Sequence, residues 1–234
     1  MSQRSSIDKS RRGLVSVAAI AGAGFLVRRA GAAQTKGKSK PSDVNATEDL
    51  MREHGVLNRV LLVYEEVVRR IGAGSLPTTG VLSSAAGIIQ KFIEQYHEKL
   101  EEEQVFPRLE KAGKLNDLVQ VLRAQHAAGR RLTAEILEKG TAAALKNKTQ
   151  AQRASRAVEQ FIRMYRPHEA REDTVLFPAF HSMFTEEEFD KLGDEFEQKE
   201  QQLLGSAGFE GIVERVAQLE KALGIYELST FTPR

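Results

Sequence analysis

The sequence has no cysteine among its 234 residues, which excludes disulfides, cysteine-based zinc sites and thiol chemistry. Valine, isoleucine and threonine form no alternating runs, so no β-sheet is expected. The formal net charge is only +2, and much of the basic excess lies in the first 40 residues, so the charge pattern does not favour nucleic-acid binding. No Ser-His-Asp arrangement or phosphate-binding loop is present. With 41% hydrophobic and 28% charged residues, the composition is that of a soluble globular protein.

The first 33 residues have the pattern of a targeting segment. Positions 11–12 are Arg-Arg, an apolar stretch covers 14–27, and 30–32 read Ala-Gly-Ala, like a small-residue cleavage site. The apolar stretch is short for a membrane span. The segment resembles a bacterial twin-arginine (Tat) signal, which predicts an exported or periplasmic protein with no stable membrane span after cleavage. The alternatives are an uncleaved anchor or a disordered basic tail, and without a working signal the protein stays cytoplasmic.

A repeated motif dominates the rest of the chain. Residues 97–107 read HEKLEEEQVFP and residues 168–178 read HEAREDTVLFP. In both copies a glutamate follows the histidine by four residues, and a Phe-Pro pair follows it by nine and ten. Residues i and i+4 share one face of a helix, so each copy directs an imidazole and a carboxylate to the same point. Proline stops or begins helices, so each Phe-Pro pair marks a helix end or bend.

The spacing of the other histidines extends the pattern. His54 precedes His97 by 43 residues, and His126 precedes His168 by 42. The midpoints between successive histidines of the four fall at 75–76, 111–112 and 147, all in turn-like sequence. An up-down-up-down helical bundle would therefore place the four histidines at one level, with a glutamate beside two of them. The sequence predicts a dinuclear metal site there, built from His54, His97, Glu101, His126, His168 and Glu172.

Apolar periodicity predicts an all-α fold. A linker at 34–45 leads into a four-helix bundle at 46–182, and a helical extension occupies 183–234. The predicted bundle helices start near 45–47 and cover about 81–109, 115–139 and 150–177, and those of the extension cover 185–204 and 208–223.

Imidazole and carboxylate together suit iron, manganese or zinc. The alternative for any single histidine is a hydrogen-bonded helix residue, and for 101–103 a solvated acidic face. Repetition at consistent spacing favours the metal site over these alternatives. His181 lies beyond the second motif and is expected to be structural or on the surface.

The two motifs and their partner histidines, over about residues 45–180, resemble the hemerythrin-like HHE cation-binding proteins. The resemblance implies a four-helix bundle with a non-haem di-iron centre, in which Glu101 and Glu172 bridge two iron ions; manganese and zinc are less favoured. The oxygen carriers of that family have a further histidine four residues after the position of His126, where this chain has Arg130.

Some members of the family instead use the glutamate directly after the histidine of the second helix, so the resemblance adds Glu98 to the candidate metal ligands. Glu169 is the matching position in the second motif. Asp173 competes with Glu172 because the carriers place a carboxylate five residues after their last histidine. The first motif has the four-residue spacing, which favours Glu172.

The implied function is a di-iron protein that binds, senses or reacts with oxygen species or stores iron. Molecular oxygen or peroxide is the expected partner, with a possible separate redox protein. A missing imidazole favours redox reactivity over reversible carriage. The alternatives are an enzyme, namely a di-metal oxidase or peroxidase acting on a small substrate, and a helical adaptor without a redox role.

Overall fold

Helices make up nearly all the secondary structure of this protein. The computed structural model describes residues 44–76 and 79–233, and these residues contain no strand, which confirms the all-α prediction. The predicted twin-arginine segment and most of the predicted linker lie outside the described residues. Within the described residues, no helix combines the length and apolar character needed to cross a membrane.

The first helix, α1 (Ala46–Gly72), begins where the sequence predicts, because Asn45 caps it. The Asn45 side chain accepts a hydrogen bond from the backbone N–H of Glu48 at 2.9 Å. One face of α1 is buried against the other helices, with apolar residues at helical spacing. That face includes Leu50, Val56, Leu57, Val60, Leu61, Val63, Tyr64 and Val67.

The helices that carry the two motifs change their hydrogen-bond pattern along their length. Helix α2 covers residues 81–111 and helix α4 covers residues 148–181. A π-helical segment begins at the glutamate of each motif, Glu101–Val105 in α2 and Glu172–Leu176 in α4. Such π segments are uncommon and often occur at functional sites. Helix α2 has a second π segment, Ile89–His97, that ends at its histidine.

Each Phe-Pro pair opens an α-helical segment that follows a π segment. These segments are Phe106–Lys111 and Phe177–His181, with proline in the first turn, where its missing N–H costs little. The pairs therefore mark a change of helix type before the helix ends. The α-helix of the second motif also continues through Pro167.

Helices α1, α2, α3 (Asn116–Lys139) and α4 form a bundle in which each packs against the next and α4 packs against α1. The connection 73–80 contains the first predicted midpoint, and the connection 112–115 begins at the second. The third, residue 147, is the last residue of the connection 140–147. The midpoints between successive histidines therefore predicted the positions of the turns to within a few residues.

The extension consists of α5 (Glu186–Leu204) and α6 (Gly208–Leu223), which pack on the α1 and α2 side of the bundle. Thr185 opens α5 with a capping box completed by Glu188. The Arg59 guanidinium of α1 makes two hydrogen bonds to the Glu220 carboxylate of α6, at 2.9 and 2.6 Å. A paired fork of this kind fixes geometry as well as charge, and it joins the extension to the bundle.

Candidate metal centre

The four predicted histidines lie together inside the bundle, one on each helix. His54, His97, His126 and His168 are all at most 4% exposed. They form two pairs: the ring centroids of His54 and His97 are 4.7 Å apart, and those of His126 and His168 are 5.0 Å apart. Each pair comes from one helical hairpin, so the two hairpins contribute equally.

Two fully buried glutamates, Glu101 and Glu172, lie between the histidine pairs. Glu172 Oε2 is 3.4 Å from His54 Nε2, and its Oε1 is 3.2 Å from His168 Nε2. Glu101 Oε2 is 3.7 Å from His97 Nε2 and 3.4 Å from His126 Nε2. Each carboxylate therefore faces one histidine from either pair.

These glutamate oxygens are otherwise without partners. Among the described residues, neither oxygen of Glu101 or Glu172 has a hydrogen-bond partner, and His126 Nε2 has none. Buried polar atoms are rarely left unsatisfied, and a buried unpaired carboxylate is costly. One donor atom from each of His54, His97, Glu101 and Glu172 lies within 4.8 Å of the others, as do those of His126, His168 and Glu172. The residues fit a pair of bound cations.

In each of these four histidines, the outward ring nitrogen, Nδ1, contacts a side-chain oxygen. Nδ1 of His54 is 2.7 Å from Asp173 Oδ1, Nδ1 of His97 is 2.5 Å from Glu53 Oε2, and Nδ1 of His126 is 3.2 Å from Glu102 Oε1. His168 Nδ1 donates to Gln125 Oε1 at 2.8 Å. Such partners fix ring orientation and leave Nε2 to face the centre, as in metal sites generally.

The outer partners follow one rule in both hairpins. The residue before the first histidine, Glu53 or Gln125, meets the second histidine of its own hairpin. The residue after the central glutamate, Glu102 or Asp173, meets the first histidine of the other hairpin. Of these outer partners, only Asp173 was singled out from the sequence, and it was offered as a ligand candidate. The sequence does carry a signal for these partners: a polar residue stands next to the ligand candidate at matching places in both hairpins.

The protonation of the site reflects its burial. Burial lowers the pKa of His97 to about 4, so this ring is neutral at pH 7. Burial also opposes charge on His126, but the adjacent carboxylates of Glu101 and Glu102 raise its pKa to about 10. Burial and the nearby Glu172 charge raise the pKa of Glu101. Two buried carboxylates so close together need added positive charge, which a divalent cation supplies.

The phenylalanine of each Phe-Pro pair covers one histidine from the other hairpin. The Phe106 ring is stacked on His126 with centroids 5.5 Å apart, and the Phe177 ring is stacked on His54 at 5.6 Å. Both phenylalanines are fully buried. They keep the outer face of these rings dry, which strengthens electrostatic interactions inside the site.

Glu98 is buried beside this centre but has other partners. Its Oε1 accepts from the Tyr165 hydroxyl at 2.5 Å, and its Oε2 accepts from Arg130 Nη2 at 2.7 Å. The same Arg130 nitrogen donates to Glu102 Oε1 at 2.6 Å. Arg130 therefore lies against the site, four residues after His126, and connects two carboxylates there.

The remaining candidates also have defined positions. Glu169, which corresponds to Glu98, accepts from Asn58 Nδ2 through its Oε2 at 2.5 Å. Asn58 and Arg130 thus occupy equivalent places, four residues after the first histidine of each hairpin. The ring of His181 stacks on Phe189 of α5, with centroids 4.1 Å apart, outside the histidine cluster. Asp173 contacts His54 from the outside, as described above.

The comparisons with known proteins agree with this geometry. The family model for the hemerythrin HHE cation binding domain matches residues 45–180. Two similar proteins are the uncharacterized proteins Rv1995 of Mycobacterium tuberculosis and Mb2018 of Mycobacterium bovis. Each is 46% identical over 232 residues, which cover 95% of this chain and 91% of the relative. No solved structure matches the chain. With four histidines and two buried glutamates brought together in a helical bundle, this chain belongs to the hemerythrin HHE cation binding domain family.

Proposed function

We propose that this protein holds a non-haem di-iron centre and uses it to react with oxygen species. One observation carries the proposal: Glu101 and Glu172 are fully buried, lack hydrogen-bond partners among the described residues, and each face histidines of both hairpins. The proposed ligands are His54, His97, Glu101, His126, His168 and Glu172.

The donor set supports two ions rather than one. His54 and His97 would serve one position, and His126 and His168 would serve the other. Glu172 belongs to both candidate ligand groups, and Glu101 also faces one histidine of either pair. Bridging carboxylates neutralise part of the charge of two adjacent cations. Helical bundles with carboxylates and histidines commonly hold di-iron or di-manganese centres, and of the two we propose iron. An iron pair, when bound, supplies electron exchange with dioxygen or peroxide.

The chain's own residues orient and isolate this site. The four Nδ1 partners hold the imidazole rings so that Nε2 faces inward. Phe106 and Phe177 exclude water from the outer faces of two rings. Glu98 keeps its contacts with Tyr165 and Arg130. In this proposal it supports the site without binding an ion.

Reaction is favoured over reversible carriage because the site has few protein ligands. Two histidines and two shared carboxylates would give each ion at most four protein ligands, and octahedral metal centres take six. Arg130 adds none, since a guanidinium carries only donors. The unfilled positions favour binding of small oxygen species. Storage of iron and turnover as an oxidase or peroxidase are the related alternatives.

The test is metal analysis of the purified protein, followed by its visible spectrum during reduction and re-exposure to air or peroxide. We expect about two irons per chain, as in dinuclear bundle sites, and a charge-transfer band that bleaches on reduction and returns with oxidant. A stable, fully reversible oxygen adduct would count against reaction. Steady consumption of peroxide with a reductant would identify the enzymatic alternative. Absence of bound metal would contradict the proposal.

We also propose export through the twin-arginine route, on the basis of Arg11, Arg12 and the apolar stretch that follows. The test is fractionation of cells that express the full chain or a variant with Arg11→Lys and Arg12→Lys. Export predicts that the full chain appears outside the cytoplasm and that the variant stays inside. Equal distribution of the two proteins would contradict it.

A further inference from the structure

Three further carboxylates converge outside the histidine cluster. Asp49 and Glu53 lie one turn apart on α1, and Glu200 lies on α5 of the extension. One carboxylate oxygen from each lies within 4.8 Å of the others. Glu53 is fully buried, Asp49 is largely buried with 18% of its side chain exposed, and Glu200 is partly buried. The bundle and the extension together form this cluster, which neither could form alone.

Two buried polar atoms at this cluster lack partners. Glu53 uses its Oε2 for His97, while its Oε1 is buried and has no hydrogen-bond partner among the described residues. The Tyr96 hydroxyl is likewise buried and unpartnered within the described part of the chain, on a side chain only 3% exposed. This hydroxyl lies beside the Glu53 carboxylate, next to the cluster.

The chain supplies little positive charge here. Arg52 Nη1 contacts Asp49 at 3.3 Å, but its guanidinium also lies over the Phe209 ring, and its side chain is 41% exposed. A surface pair of this kind contributes little. Among the described residues, no lysine or arginine nitrogen lies within 4.0 Å of a carboxylate oxygen of Glu53 or Glu200. Few positive charges of the described residues therefore lie near these three carboxyl groups.

The position of Glu200 is held by the turn between α5 and α6. Its Oε1 accepts from the backbone N–H of Phe209 at 2.8 Å. A Cβ atom at Gly208, where φ is +44°, would lie only 2.6 Å from the same oxygen. A side chain at this position would displace the carboxylate, so glycine is needed for this close approach.

A cavity gives solvent access to these carboxylates. It has a volume of about 260 Å³, and Asp49, Glu197, Glu200, Arg52 and Phe209 are among the residues that line it. Asp49 and Glu200 belong to both the cavity wall and the cluster. A small cation can therefore reach the cluster from outside without passing through the histidine cluster.

We propose that Asp49, Glu53 and Glu200, with the Tyr96 hydroxyl, form a third cation site that is separate from the dinuclear centre. Its donors are all oxygen atoms, a set that suits hard divalent cations such as Mn²⁺ and Mg²⁺. A bound cation satisfies Glu53 Oε1 and neutralises the acidic cluster. Because Glu53 also contacts His97, the third site borders the outer layer of the first.

The test is titration of the holoprotein with Mn²⁺ alone, with free Mn²⁺ followed by electron paramagnetic resonance. Iron content is measured before and after, so that exchange into the dinuclear centre is detected. We expect the wild-type protein to bind one Mn²⁺ per chain at this site. The variants Glu200→Gln and Asp49→Asn should weaken that binding by at least about tenfold, since each removes a charged ligand.

The matched control is Glu195→Gln, because Glu195 is an exposed carboxylate of the same helix and should behave as wild type. The amide of Glu200→Gln can still accept the Phe209 N–H, which keeps the extension in place, and circular dichroism checks folding. Equal Mn²⁺ binding in wild type and both site variants would overturn the proposal, as would no binding in wild type or an equal loss in the control. The comparison between variants does not depend on the metal of the dinuclear centre, so the two proposals can fail independently.

Discussion

The hairpin α1–α2 and the hairpin α3–α4 carry the same histidine and glutamate frame but surround it with different charges. The residue before the first histidine is Glu53 in one hairpin and Gln125 in the other. The residue four places after that histidine is Asn58 in one and Arg130 in the other. Both halves share the histidines and glutamates that metal binding requires, while the outer residues give the two histidine pairs different surroundings.

The tyrosines show the same difference. Tyr165 donates its hydroxyl to Glu98, next to Arg130. Tyr96, which stands in the matching helix of the other hairpin, has an unpartnered hydroxyl within the described residues and lies by the acidic cluster. The surroundings of the second hairpin are balanced by an arginine. Those of the first are acidic, and there the extension adds a further carboxylate, Glu200.

The strongest effect is expected where the two halves are alike. Glu101→Gln and Glu172→Gln should each reduce metal content from about two ions per chain to one or none. An amide cannot neutralise two cations, and each glutamate serves both positions. Metal analysis after desalting measures the loss. Glu103→Gln, an exposed neighbour, is the control, and full metal content in either site variant contradicts the bridging role.

An intermediate effect is expected from exchanging the outer partners. Glu53→Gln gives His97 the amide acceptor that His168 already has, and should weaken metal binding at the first position by about tenfold or more. Gln125→Glu should strengthen the second position. Stepwise removal by a chelator measures both. Because Glu53 also belongs to the proposed third site, Glu200→Gln is the matched control, and an equal effect of the two variants on the inner metal would contradict the asymmetry.

A stability effect is expected at the Tyr165 side. A Cβ atom on Gly129 of α3 would lie 2.1 Å from the Tyr165 hydroxyl oxygen, so Gly129→Ala must displace the ring and break its bond to Glu98. We expect a loss of roughly 1–3 kcal/mol in the free energy of unfolding. Gly55→Ala is the control, since its Cβ meets nothing within 4 Å, and it should stabilise the helix by up to about 1 kcal/mol. Thermal or denaturant unfolding distinguishes the two, and an unchanged Gly129→Ala protein contradicts the packing argument.

The smallest effect is a release of protons on metal binding. Burial opposes charge on His54 and His126, but their carboxylate partners raise the pKa of His54 well above its usual value and that of His126 to about 10. Both upward shifts favour the charged ring at pH 7 in the metal-free protein. Metal requires neutral imidazole, so binding should release about one proton from each.

The same reasoning gives the pH dependence. Because protons compete with metal below these pKa values, affinity should rise as pH increases from 7 toward 10. His97, with its pKa lowered to about 4 by burial, contributes no proton at pH 7. Calorimetry in buffers of different ionisation enthalpy measures the number released. No release at pH 7 would show that the two rings are already neutral.

Much of the fold was predictable because helices are governed by local rules. The apolar periodicity located helix starts to within about two residues, which is the usual uncertainty of helix ends. The shared level of the four histidines followed from chain lengths between turns. The i, i+4 spacing of His97 and Glu101, and of His168 and Glu172, placed each pair on one helix face.

The contacts between helices could not be read in this way. Spacing along one helix fixes the face on which a side chain lies, but the partner on the next helix depends on how the two helices rotate and pack. For this reason Asp173 contacts His54 and Glu98 contacts Arg130, although the sequence offered both as ligand candidates. The π segments make these contacts harder to predict, because one extra residue in a turn rotates all later side chains by about 100° around the helix axis.

The sequence therefore determined the helices, the inner histidine and glutamate frame and the family resemblance, because all three depend on spacing within single helices and hairpins. The packing of helices decided the outer partners of the histidines, the Glu98–Tyr165–Arg130 contacts and the cluster of Asp49, Glu53 and Glu200. These join residues far apart in sequence, up to 151 positions in the case of Asp49 and Glu200. Local geometry carries no information about such pairs until the core has formed.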